Sequence, residues 1–191
     1  GRALIDLTEE LAAALAAGSE PQRTYGHGTV DQEFNSGLHA SSALSNASSL
    51  AQSFTPAQTA VVGLDLLLTT DGQTTTEPIT VTVNLREATS PPEWGALLGT
   101  TSGVVPAATF ATPGSPYALH VDFAAAVSVT PGVTYVIQIE PVSGLYWAIN
   151  TSGGYVGGSM YIGTSAFPGY DFGFRTYYAV ISPSDTTPPV I

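Results

Sequence analysis

Cysteine and lysine are both missing from this chain of 191 residues. Without cysteine there are no disulfides, thiolate metal sites, iron–sulfur clusters or cysteine nucleophiles. Charge is scarce as well: charged residues make up 10%, against roughly a quarter in an average soluble domain. The charge present is one-sided, with four arginines facing 15 acidic residues for a formal net charge of −11. Such a surface repels phosphate backbones and anionic lipid headgroups, which argues against nucleic acid and membrane partners. Long apolar runs are lacking too, and none approaches the roughly 18 residues of a membrane-spanning helix. Gly1 to Glu10 carries charges where a signal peptide would need an apolar core, so an exported protein is expected here in mature or trimmed form.

What remains is apolar, small and hydroxylated. Hydrophobic residues make up 43%, too many for a chain disordered by charge. Leu4, Leu7, Leu11, Ala14 and Leu15 recur at steps of three and four, and Gly18 follows. That spacing predicts a short N-terminal amphipathic helix over 3–17. Beyond it the period becomes two. A strand is expected near Val30–Phe34, and Ser53–Pro56 reads as an edge strand closed by proline. Val62, Leu64, Leu66 and Leu68 alternate with Gly63, Asp65 and Leu67, and Asp71-Gly72 supplies a turn. Ile79, Val81, Val83 and Leu85 form the cleanest alternating run. Pro91-Pro92 opens a loop before a short strand at Ala96–Thr100. Further alternation runs through Tyr117–Phe123, Val133–Ile139, Leu145–Ile149, Met160–Ile162 and Phe172–Thr176. Eight or more short strands without helical crossovers imply an all-β antiparallel sandwich. The organisation expected is a helix and connector over 1–29, a β-sandwich domain over 30–181, and an extended tail over 182–191 rich in Ser, Thr, Pro and Asp.

Three stretches carry a resemblance: Ala51-Gln-Ser-Phe-Thr-Pro56, Thr130-Pro-Gly-Val-Thr-Tyr-Val-Ile-Gln-Ile139 and Asp171-Phe-Gly-Phe-Arg-Thr-Tyr177. In this order and spacing they resemble bacterial secreted β-sandwich domains similar to carbohydrate-binding jelly rolls. The resemblance covers roughly residues 30–180 and implies a jelly-roll-like fold at the cell surface or outside the cell. Separately, Asp185-Thr-Thr-Pro-Pro-Val-Ile191 resembles the start of a bacterial immunoglobulin-like repeat.

The residues favour binding over catalysis. His27, His39 and His120 lie far apart, no Gly-x-Ser-x-Gly elbow exists, and His120 takes the outward phase of its strand beside Asp122. Tyrosines cluster in the last quarter among glycines, where an exposed ring can offer a flat apolar face to a pyranose. Tyr146, Tyr155 and Tyr161 are the candidate platform, with Asn150 and Arg175 as hydrogen-bonding partners for hydroxyls, whereas Trp147 shares phase with Leu145 and Ile149 and is expected inside. Jelly rolls often bring their first and last strands together. That would gather Asp31 and Glu33 near Asp171 as oxygen ligands for a structural calcium ion. Two functions follow as expectations. One is a non-catalytic extracellular binding or adhesion module directed at a polysaccharide or glycan surface. The other is a filament or surface-layer subunit gripping identical neighbours by strand exchange through its tail.

Overall fold

A computed structural model describes residues 28–38, 40–43, 49–70, 75–89, 94–109, 116–163 and 165–179. The helix expected over 3–17, the Asp71-Gly72 turn, the Pro91-Pro92 loop and the 182–191 tail lie outside these residues. Within them the protein is all strand and connection, with no helix. The chain runs through β1 (Thr29–Phe34), β2 (Ala40–Ala43), β3 (Leu50–Phe54), β4 (Ala60–Thr69), β5 (Ile79–Glu87), β6 (Leu97–Val105) and β7 (Tyr117–Ser128). It continues through β8 (Tyr135–Ile139), β9 (Tyr146–Asn150), β10 (Met160–Ile162), β11 (Ser165–Phe167), β12 (Asp171–Phe172) and β13 (Phe174–Tyr178).

The strands form two antiparallel sheets. The first runs β1-β13-β4-β9-β12, with β2 beside β9 and β7 beside β4. The second runs β11-β10-β3-β8-β5-β6. One inner side chain in two from each sheet enters a shared core. Leu64, Leu66, Leu68, Trp147 and Phe174 come from the first sheet, and Leu50, Phe54, Val83, Leu85, Ile137 and Ile139 from the second. Phe54 and Phe174 meet across the interface with ring centroids 6.3 Å apart. Trp147 lies flat on Phe172 at 4.3 Å and 7°, and its indole N–H donates to the Gly173 carbonyl at 2.8 Å. The burial expected for Trp147 is therefore observed, and the indole's polar atom is satisfied inside.

Three sequence expectations change. Leu50–Phe54 is not an edge strand, because β3 pairs with β10 on one side and β8 on the other. Pro56 comes after the pairing has ended, so it costs the ladder no donor. In β4 the register shifts between Val61 and Gly63, and Val61 rather than Val62 joins the core. A bulge changes phase without leaving a mark in the hydropathy pattern. The expected Ala96–Thr100 strand is longer, reaching Val105. Gly99 and Gly103 let β6 approach β7, since a Cβ on either would press on Val127 and Phe123 or on Val121 and Leu119.

Candidate functional site

The outer face of the second sheet carries an aromatic and polar patch set by register. Tyr161 pairs with Ala51, Ala51 with Gln138, Gln138 with Asn84, and Asn84 with Thr100. Partners across antiparallel strands point to the same side, so this row crosses five strands opposite the core. The adjacent row is Ser53, Val136, Arg86 and Leu97. Ala51 and Val136 are nonetheless buried, so this outer surface is covered at its centre.

Trp94, from the segment between β5 and β6, belongs to that patch. Its ring stands edge-on to Tyr161 at 4.9 Å and 89°, and both rings are half-exposed. The edge-to-face arrangement sets the positive rim of one ring against the negative face of the other. The backbone N–H of Gly95 donates to the Glu87 carbonyl at 3.0 Å, and Arg86 Nη1 donates to the Gly95 carbonyl at 3.4 Å. These bonds anchor the residue next to Trp94. Arg86 Nε donates to Gln138 Oε1 at 2.7 Å, and Asn84 Nδ2 donates to Glu140 at 3.2 Å. The patch thus combines two rings with fixed guanidinium, amide and carboxylate groups. Sequence reasoning missed Trp94 because a lone tryptophan after two prolines belongs to no periodic run.

The predicted platform is dispersed. Tyr161 sits on the second sheet, whereas Tyr146 lies on the opposite side of the sandwich, on the outward phase of β9, paired with Thr69 and Ala43. Tyr155 is a crosspiece: its hydroxyl donates to Gln32 Oε1 at 3.1 Å and accepts the Thr55 N–H at 3.3 Å, while its ring stands edge-on to Phe174 at 5.2 Å. Asn150 is buried, donating to the Ser36 carbonyl at 3.2 Å and accepting from the Ser152 N–H at 2.7 Å. Arg175 donates to Glu33 at 2.6 Å and to Asp65 at 3.4 Å. Of the five, Tyr161 has a second aromatic ring, Trp94, edge-on beside it on an outer face.

The three carboxylates proposed for calcium are each engaged by protein donors. β1 pairs with β13, where Glu33 stands opposite Arg175, but Asp171 lies on β12, which pairs with β9 at the far end of the sheet. Asp31 accepts the Ala57 N–H at 3.1 Å. Asp171 is buried and accepts from Gln52 Nε2 at 3.0 Å and from the Tyr155 N–H at 3.1 Å. Gln52 Oε1 in turn accepts the Phe172 N–H at 2.8 Å, so this buried network ties β3 of one sheet to β12 of the other. Burial pushes the Asp171 carboxyl above the usual range, against the lowering effect of those donors. Among the described residues no group of three or more His, Asp or Glu side chains is arranged to hold a metal ion.

A second polar cluster crosses the first sheet. Register places Glu33, Arg175, Asp65 and His120 in one row over β1, β13, β4 and β7. Asp65 is its centre, with a side chain only 8% exposed. Its carboxylate meets His120 Nδ1 at 2.7 Å and accepts from the Tyr177 hydroxyl at 2.5 Å and from Arg175. His120 Nε2 lies 3.1 Å from Asp122. Gly63 leaves room for that pair, since a Cβ there would meet Asp122 at 2.8 Å. Acidic and basic side chains alternate along the row, which is a cross-strand ladder.

Both tyrosines in these networks resist ionisation. Burial raises the Tyr155 phenol, reinforced by the charges of Asp31 and Asp171, and burial together with Asp65 raises that of Tyr177. The folded protein therefore keeps protons that the unfolded chain loses above about pH 10, so stability falls as pH rises past that point. Absorbance titration near 295 nm should show a late-ionising component that Tyr155→Phe and Tyr177→Phe each reduce. A titration curve that neither substitution alters contradicts this assignment.

Comparison with protein-family models and with curated proteins gives no match.

Proposed function

We propose that this chain is a non-catalytic carbohydrate-binding domain of jelly-roll type, acting at a cell surface or outside the cell, with its binding face on the outer side of the second sheet. The observation that carries the reading is the Trp94–Tyr161 pair. It places two half-exposed rings on a strand-built surface, beside Arg86, Gln138 and Asn84. Ring faces complement the C–H faces of a pyranose, and guanidinium and amide groups bond its hydroxyls. Tyr161 is mounted on β10 and the residue after Trp94 is anchored by two hydrogen bonds, and side chains held in place lower the ordering cost of binding.

The topology supports the jelly-roll component. The chain crosses between sheets at β2–β3, β3–β4, β4–β5, β6–β7, β7–β8, β8–β9, β9–β10 and β11–β12, and the first and last described strands pair. A panel of immobilised plant, bacterial and animal glycans, probed with the whole protein and with Trp94→Ala, tests the proposal. Binding that the substitution removes supports it. Absence of binding across the panel overturns it.

A further inference from the structure

Arg86 is a cation in need of a counter-charge. Both described arginines lie on outer sheet faces, yet their surroundings differ. Arg175 is neutralised by Glu33 and Asp65. Arg86 is held by two neutral acceptors, Gln138 Oε1 on Nε and the Gly95 carbonyl on Nη1, and no carboxylate lies within salt-bridge distance of it among the described residues. In a protein of net charge −11 a half-buried arginine without an acid partner among the described residues is a departure from the composition. Its backbone-side nitrogen is pinned, which fixes the plane of the guanidinium. Nη2 and one hydrogen of Nη1 remain, and they form the fork that takes a carboxylate through two parallel bonds. Glu140, the acid nearest along the same face, is engaged by Asn84.

The fork stands beside the aromatic pair, because the carbonyl that holds Nη1 belongs to the residue after Trp94. From this we infer, resting on the carbohydrate reading above, that the preferred ligand is an acidic saccharide whose sugar carboxylate docks on Arg86 while its ring lies against Trp94 or Tyr161. The planar fork matches a carboxylate in both spacing and plane. A sulfate ester offers the same charge in tetrahedral form, and a neutral sugar offers none.

The inference is tested by calorimetric titration of the whole protein with trigalacturonate, its methyl ester and a sulfated neutral trisaccharide. Trigalacturonate should bind about tenfold more tightly than its methyl ester, the scale of one charge-assisted pair at a partly exposed site. Arg86→Gln should bring the two to equal affinity, and Arg86→Lys, which keeps charge but not the fork, should restore only part of the difference. Circular dichroism of each variant confirms its fold. Equal affinity for the acid and its ester in the native protein overturns the inference and leaves the carbohydrate reading standing, as does a preference that survives Arg86→Gln. Tighter binding of the sulfated sugar reassigns the fork to a sulfate and overturns the carboxylate choice. Absence of binding to all three, together with a silent glycan panel, removes the carbohydrate reading itself.

Discussion

Trp147→Ala should lower stability by about 3–5 kcal/mol, the cost of deleting a large buried ring and leaving a cavity behind. Trp147 is fully buried, stacked on Phe172 and bonded through its indole N–H to Gly173. Gly173 is the point where the chain stops pairing with β9 as β12 and starts pairing with β4 as β13. Its carbonyl also accepts the Leu67 N–H at 3.0 Å. Removing the indole therefore loosens packing and the crossover together. For a domain of this size the loss corresponds to a fall in Tm of roughly 6–20 °C. Trp147→Phe keeps a ring on Phe172 and loses the N–H bond, so it should cost less, on the order of 1–2 kcal/mol. Thermal unfolding followed by circular dichroism measures both. An alanine variant that melts with the native protein contradicts the packing described.

Trp94→Ala should do the reverse. Trp94 is half-exposed and stands outside the sandwich core, so its removal should shift Tm far less than Trp147→Ala. In the proposed function its ring is the face offered to a pyranose, and truncating an aromatic anchor typically costs about 2 kcal/mol or more of binding, roughly thirtyfold in Kd. Tyr161 would lose its edge-on neighbour at the same time, so part of this loss is repositioning. Isothermal titration with a glycan selected from the panel reads the effect. Unchanged affinity with an intact fold moves the binding face elsewhere. The two tryptophans thus separate fold from function, one substitution for each.

The fold was far more legible than the site. In β5 the alternation of Val81, Val83 and Leu85 with polar neighbours gives both strand and core face, and the structure buries those three. Trp147 was placed inside by its phase alone. Phase fails where a bulge intervenes, as between Val61 and Gly63, or where both faces of a strand are covered, as in β3, whose five residues are all buried. The site was hidden for a different reason. Trp94 is 67 positions from Tyr161 along the chain, and their meeting depends on the cross-sheet order β10-β3-β8-β5, which no local pattern encodes. The tyrosines cluster along the chain, but strand order spreads them over both faces. Asp31, Glu33 and Asp171 illustrate the same limit. Asp31 and Glu33 lie on β1, which pairs with β13, whereas Asp171 lies on β12 at the other end of that sheet, and side-chain partners decide which donors each holds.

The central claim is that the outer face of the second sheet binds glycan while the core stays as it is. The protein holds two tryptophans and therefore two indole N–H groups, one bonded inside to Gly173 and one on the proposed face. Two-dimensional ¹H–¹⁵N NMR of the native protein, titrated with a bound glycan, observes both at once. The account predicts that the Trp94 indole signal moves on saturation while the Trp147 signal stays in place. Binding that leaves the Trp94 signal unmoved would contradict it.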